Sequence, residues 1–292
     1  MAAAAISTGR VEANGVDFHY LSAGDGPLAL CLHGFPDTAH SWRHLLPGLA
    51  AAGFRAVAPF QRGYAPTSIP ADGRYQSGVL AVDANALHEA LGGDGRAVLI
   101  GHDWGAPAAH GAAVVDPSRW ARVVTMAVPP GGSLAMAFLA NRRQLKRSWY
   151  MFFFQSPLAD LVVPADDLAF IDMLWADWSP GYAGAGDASH VKDALRNPAN
   201  LAAALGYYRA TLGSGFRDPA LDAAQAATQA VPSQPMLYLH GRDDGCIGVD
   251  VAEHAAATLP PNVRVDIIDG AGHFLHVEQP DAVNRRVIEF VA

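Results

Sequence analysis

The pentapeptide Gly101-His102-Asp103-Trp104-Gly105 sets a carboxylate between two glycines. It follows the apolar run Ala97–Gly101 and precedes a stretch of small residues, Ala106 to Val115. A strand must therefore turn sharply into a helix, with the central side chain displayed over the helix N-terminus, where partial positive charge favours an anion. Asp103 is a candidate nucleophile; a helix N-cap is the other reading of an Asp in this position. The rest of the constellation decides between them. His273, in Gly270-Ala-Gly-His273, lies on a Gly-rich loop at a strand's carboxyl end, where ligand sites gather in open sheets. Gly241-Arg-Asp-Asp-Gly-Cys246 follows the run Met236–His240, and Asp243 or Asp244 could orient His273; an Asp-Gly turn fits the same residues. His33-Gly34-Phe35-Pro36 follows another strand. There the backbone N–H of Phe35, together with that of Trp104, could hold a developing oxyanion.

The choice of Asp as nucleophile constrains the substrate. A carboxylate that attacks an ester carbonyl gives a mixed anhydride, whereas attack on saturated carbon gives an ordinary ester. The substrate should then carry its leaving group on an sp³ carbon, as a strained epoxide or a halide does. A histidine held by an acid would next activate water against that ester. Apolar Phe35, Trp104 and the run Phe152–Phe154 point to a hydrophobic substrate, and His33, Pro36, Trp104 and Phe153 are expected to touch it.

These residues need a frame. Near-continuous apolar runs at Leu28–His33, Phe54–Ala58, Ala97–Gly101, Arg122–Val128, Met236–His240 and Val263–Ile268 suit parallel strands covered on both faces. Between them lie helical patterns: Leu80, Ala84, Leu87 and Leu91 before Gly92, and Val283, Val287, Phe290 and Val291 after Pro280. The alternation predicts an α/β fold with a mostly parallel, doubly wound sheet. It breaks between residues 131 and 230, a mostly helical stretch with an aromatic cluster (Trp149, Tyr150, Phe152, Phe153, Phe154) and a stripe at Leu168, Ile171, Leu174 and Trp175. The expected organisation is a core of residues 1–130 and 231–292 with a helical lid at 131–230.

With 292 residues, 51% hydrophobic and 16% charged, the chain can bury a large core. A net charge of −8 with 20 Lys plus Arg argues against nucleic acid as a partner. The one basic cluster, Arg142, Arg143, Lys146 and Arg147, reads as the solvated face of a helix. Cys31 and Cys246 show neither a disulfide framework nor zinc spacing. No apolar run is long enough for a membrane span, the N-terminus does not read as a secretory signal, and a cytoplasmic location is the expectation. No metal site, phosphate loop or dinucleotide fingerprint is found.

Taken together, His33-Gly-Phe-Pro36, Gln61-Arg-Gly-Tyr64, Gly101-His-Asp-Trp-Gly105, Gly241-Arg-Asp-Asp244 and Gly270-Ala-Gly-His273 resemble the α/β-hydrolase superfamily, in its epoxide hydrolase and dehalogenase branch. The motifs span most of the chain, and nucleophile, acid and histidine follow the superfamily's order. The resemblance implies Asp244 as the acid. It also implies two lid tyrosines that protonate the epoxide oxygen. Tyr150-Met-Phe-Phe-Phe-Gln155 is similar to the first tyrosine segment, and Tyr207-Tyr208-Arg209 to the second, with Tyr208 favoured and Tyr207 the alternative register. Phe60-Gln61 and Ala65 depart from the family pattern in a loop rather than in the proposed chemistry. Phe35 stands where haloalkane dehalogenases commonly place Asn. Trp104 stands where fluoroacetate dehalogenases place Arg, and Tyr150 where those enzymes have Trp. The implied activity is cofactor-independent hydrolysis of a small apolar epoxide by a monomer or homodimer. The rival readings are a haloalkane or haloacid dehalogenase with the same triad, and a non-catalytic ligand-binding homologue.

Overall fold

The computed structural model describes residues 4–292. Eight strands, β1 (Ser7–Ala13), β2 (Val16–Ala23), β3 (Leu28–Leu32), β4 (Arg55–Pro59), β5 (Val98–His102), β6 (Arg122–Met126), β7 (Met236–Gly241) and β8 (Val263–Ile268), form one sheet in the order β1-β2-β4-β3-β5-β6-β7-β8. From β4 to β8 every pairing is parallel. Every residue of β3, β5 and β7 is buried, as strands covered on both faces require. Helices Ser77–Ala90 and Gly105–Val115 pack together on the sheet, and Leu46–Ala51 meets the terminal helix Pro280–Val291. The predicted stops and starts are present. Gly92 is left-handed at φ 67° just past the first of these helices, and Pro280 opens the last, which buries Val283, Val287 and Val291.

The apolar runs did not reveal the two antiparallel strands. β1 and β2 form a hairpin whose turn residues, Asn14 and Gly15, both have positive φ (46° and 70°), and β2 continues antiparallel to β4. β1 is largely exposed and β2 alternates, so neither reads as a buried run.

The segment between β6 and β7 contains only helices among the described residues. Leu168, Ile171, Leu174 and Trp175 bury the stripe expected of helix Ala165–Trp178. The basic cluster occupies helix Arg142–Arg147, with Arg142, Arg143 and Lys146 exposed. The last helix of the segment, Asp222–Ala227, packs on the sheet-covering helices Ser77–Ala90 and Gly105–Val115. In packing it therefore belongs with the core, although it lies within 131–230. No helix among the described residues is long and apolar enough to cross a membrane.

Candidate active site

Asp103 follows β5 with φ 49°, a left-handed conformation that an L side chain rarely adopts. The elbow closes because its neighbours lack side chains: a Cβ on Gly105 would strike the Leu32 carbonyl, and one on Gly101 the Gly105 carbonyl. Gly34 is constrained in the same way. A Cβ there would strike the Asp103 carboxylate and the Trp104 backbone nitrogen. The loop after β3 thus lies against Asp103, and the Phe35 N–H donates to Asp103 Oδ1 at 2.7 Å.

His273 Nε2 lies 3.5 Å from Asp103 Oδ2, and its Nδ1 lies 3.0 Å from Asp244 Oδ2. Asp244, not the exposed Asp243, is therefore the acid partner of His273. Its other oxygen, Oδ1, accepts the N–H groups of Cys246 (2.7 Å) and Ile247 (2.8 Å). Residues from three strand ends form a buried line of acid, imidazole and carboxylate. Burial opposes charge on His273, but the Asp244 carboxylate, with Asp103 close on the other side, holds its pKa well above the ordinary imidazole value. Burial works against Asp244 as well, but the charge and hydrogen bond of His273, together with His240 and the Ile247 N–H, lower the Asp244 pKa.

Both predicted tyrosine segments come to this point, on helices Trp149–Phe153 and Pro198–Leu212. Gln155 donates to the carbonyls of Met151 (2.9 Å) and Tyr208 (3.3 Å), and Arg209 donates to the Phe154 carbonyl (2.8 Å), so the two segments brace each other. The Tyr208 hydroxyl is buried without a hydrogen-bond partner, while its ring stands edge-on to Trp104 and Phe35. The Tyr207 hydroxyl instead donates to the Arg62 carbonyl at 2.7 Å. Tyr150 Oη lies 3.2 Å from Cys246 Sγ. Burial raises the pKa of both Tyr150 and Tyr208 well above the usual phenol value, which keeps them protonated.

A cleft of about 720 Å³, its open mouth included, reaches Asp103, Trp104 and Tyr208 between walls that include Leu134, Phe138 and Ile247. Trp104 is thus on the cleft wall, as expected. His33, Pro36 and Phe153 are not among the residues that line it. His33 is held in the loop, with Nδ1 against the Gly34 carbonyl (2.9 Å) and Nε2 accepting the Gln61 N–H (2.9 Å). Pro36 follows a cis peptide bond, and its carbonyl accepts from Trp175 Nε1 (2.9 Å). Phe153 stacks on Phe170. Gln61, the departure from the family pattern, therefore braces the loop behind the nucleophile. The neighbouring Arg62 is fully buried against Asp83.

Several supporting residues escaped the sequence reading. The Trp178 carbonyl accepts the N–H groups of both Gly245 and His273 at 3.0 Å and so ties the acid loop to the base loop. His102 Nε2 meets the His273 carbonyl at 2.9 Å, and its Nδ1 lies 3.5 Å from Asp37, which also has His276 at 3.7 Å. Glu278 accepts from Ser179 Oγ (2.6 Å) and the Gly272 N–H (2.7 Å). Two buried trios, Asp37–His102–His276 and Asp244–Cys246–His273, hold possible ligand atoms within 4.8 Å of one another. The carboxylate oxygens of Asp244 are already engaged by N–H groups and His273, and those of Asp37 by the Thr38 N–H and Ser41 Oγ. In the first trio His102 Nδ1 and both ring nitrogens of His276 are buried without a hydrogen-bond partner. Of the missed residues, Cys246 lies two positions beyond Asp244 in the same loop, and His102 directly precedes Asp103.

A mostly parallel sheet thus carries a carboxylate, Asp103, on the turn after β5 and an Asp–His pair, Asp244 and His273, on the loops after β7 and β8. Residues 27–280 match the α/β hydrolase fold family. The chain is 30% identical to epoxide hydrolase A of Mycobacterium tuberculosis over 96% of each chain. Among solved structures it resembles epoxide hydrolase A of Mycobacterium thermoresistibile (TM-score 0.78, 28% identity, 98% of each chain). It also resembles the Bacillus megaterium epoxide hydrolase solved with an inhibitor (TM-score 0.79, 26% identity, 97% of this chain and 99% of that one). The chain belongs to the α/β-hydrolase superfamily, in its epoxide hydrolase-like part.

Proposed function

We propose that the protein hydrolyses a small apolar epoxide to a vicinal diol, with residues 131 to about 221 acting as a helical lid. The observation that carries this reading is the pairing of a carboxylate nucleophile, Asp103, with an unpartnered tyrosine hydroxyl, Tyr208, on the wall of one apolar cleft. Asp103 Oδ1 is held by the Phe35 N–H, which leaves Oδ2 to attack a ring carbon. As the new C–O bond forms, the ring C–O bond breaks and its oxygen takes a proton from Tyr208 or Tyr150. The product is a hydroxyalkyl ester of Asp103. His273, oriented by Asp244, then removes a proton from water, which attacks the ester carbonyl. The N–H groups of Phe35 and Trp104 stabilise the resulting oxyanion; as it collapses, the departing alkoxide takes the proton from His273, the diol leaves, and the proton left on the Asp103 carboxyl restores the tyrosine.

Trp104 Nε1, buried on the cleft wall without an acceptor, is the one feature that favours a halide leaving group instead. Intact-protein mass spectrometry of His273→Gln separates the readings, because blocking ester hydrolysis should trap the intermediate. Mixed with styrene oxide, the variant should gain the whole epoxide mass. A gain of the alkyl group alone, from an alkyl bromide only, would replace the proposal with dehalogenation. No adduct from either would leave a ligand-binding protein.

A further inference from the structure

We propose that the Cys246 thiol donates a hydrogen bond to the Tyr150 hydroxyl and so leaves that tyrosine's own O–H free to act as a proton donor beside Tyr208; this rests on the reading of Tyr150 as a lid acid. The two tyrosines are not equivalent in the structure. Tyr208 Oη has no partner, whereas Tyr150 Oη has Cys246 Sγ at 3.2 Å. Cys246 is held by each of its polar groups. Its N–H donates to Asp244 Oδ1 (2.7 Å), and its carbonyl accepts from Gln144 Nε2 (2.9 Å) of helix Arg142–Arg147. Gln144 Oε1 in turn accepts the Gly248 N–H at 2.9 Å. One residue thus joins the acid that orients His273 to the helices that carry Tyr150.

The chemistry suits a thiol. Burial keeps Cys246 protonated, so it adds no negative charge beside Asp103 and Asp244. When Tyr150 gives its proton to the opening ring, its oxygen becomes a phenolate. The S–H then donates to that oxygen and stabilises its charge, which a hydrocarbon side chain in the same place could not do. Cys246 is therefore a positioning residue for the ring-opening half-reaction.

The test follows single turnovers with styrene oxide by quenched intact-mass analysis, resolving ester formation from ester hydrolysis. Cys246→Val keeps the bulk and removes the donor; it should slow ester formation about threefold to tenfold and leave hydrolysis of the ester within about twofold. Cys246→Ser keeps a donor and should restore ester formation to within about twofold of the parent. In a Tyr150→Phe background, Cys246→Val should have no further effect. The proposal is overturned if Cys246→Val forms ester at the parental rate, if both half-reactions slow together, or if the loss persists undiminished without the Tyr150 hydroxyl. A Tyr150→Phe variant as fast as the parent would instead overturn the lid-acid reading.

Discussion

At the residue scale, His273 stands between two carboxylates, and this arrangement gives the proposed cycle its order. In the resting site burial disfavours its charge, but Asp244, with Asp103 close on the other side, stabilises the imidazolium. Once Asp103 becomes an ester its charge is gone, the pKa of His273 falls, and the ring becomes available as a base for water. Forming the intermediate thus releases the group that destroys it. In Asp103→Asn, which mimics the uncharged state, His273 should titrate at lower pH than in the parent, as read by NMR of its ring protons. An unchanged titration would mean that Asp244 alone sets the value. The raised pKa is also a stability statement. Below the ordinary imidazole pKa both folded and unfolded states hold the proton and the stabilisation is complete, and it is lost as pH rises through the elevated folded value.

At the scale of elements, successive helix residues point about 100° apart, and on helix Pro198–Leu212 this separates two adjacent tyrosines into different roles. Tyr207 bonds the backbone of the Arg62 loop, while Tyr208 faces the nucleophile. Tyr207→Phe should cost about 1 kcal/mol of stability in urea unfolding with ester formation little changed. Tyr208→Phe should slow ester formation about tenfold to a hundredfold and leave stability nearly unchanged, since its hydroxyl has no partner to lose. The sequence could not choose between them because this helix is buried around most of its circumference, so no polar stripe marks its inner face. The elbow, by contrast, was legible: its glycines and flanking apolar run report a local geometry. Asp244 became distinguishable from Asp243 only through the family pattern, because both fit the same turn. Contacts such as His102 with the His273 carbonyl have no local signature, since the partners lie 171 residues apart. The β1–β2 hairpin was missed because its signal is alternation and an Asn-Gly turn rather than a continuous apolar run.

For the whole molecule, buried histidines behind the site link stability to acidity. Burial, with His102 nearby, lowers the pKa of His276 to about 4 despite Asp37, and burial lowers that of His110 to about 3. Between about 6.5 and these values the unfolded chain takes up protons that the folded chain does not, so stability falls as pH drops through that window. Urea unfolding at pH 7 and pH 4.5 should differ by about 1–3 kcal/mol through each such histidine, and His276→Gln should shrink the difference. A gap of the same size in that variant would place the sensitivity elsewhere. The staple formed by Gln144 has a consequence of another kind, for recombination. A hybrid that takes residues 131–221 from one relative and the remainder from another would part Gln144 from the Cys246 carbonyl and the Gly248 N–H that it joins. The inheritable unit is accordingly discontinuous: the helical segment and the Gly241–Gly248 loop, distant in the chain, have to be exchanged together.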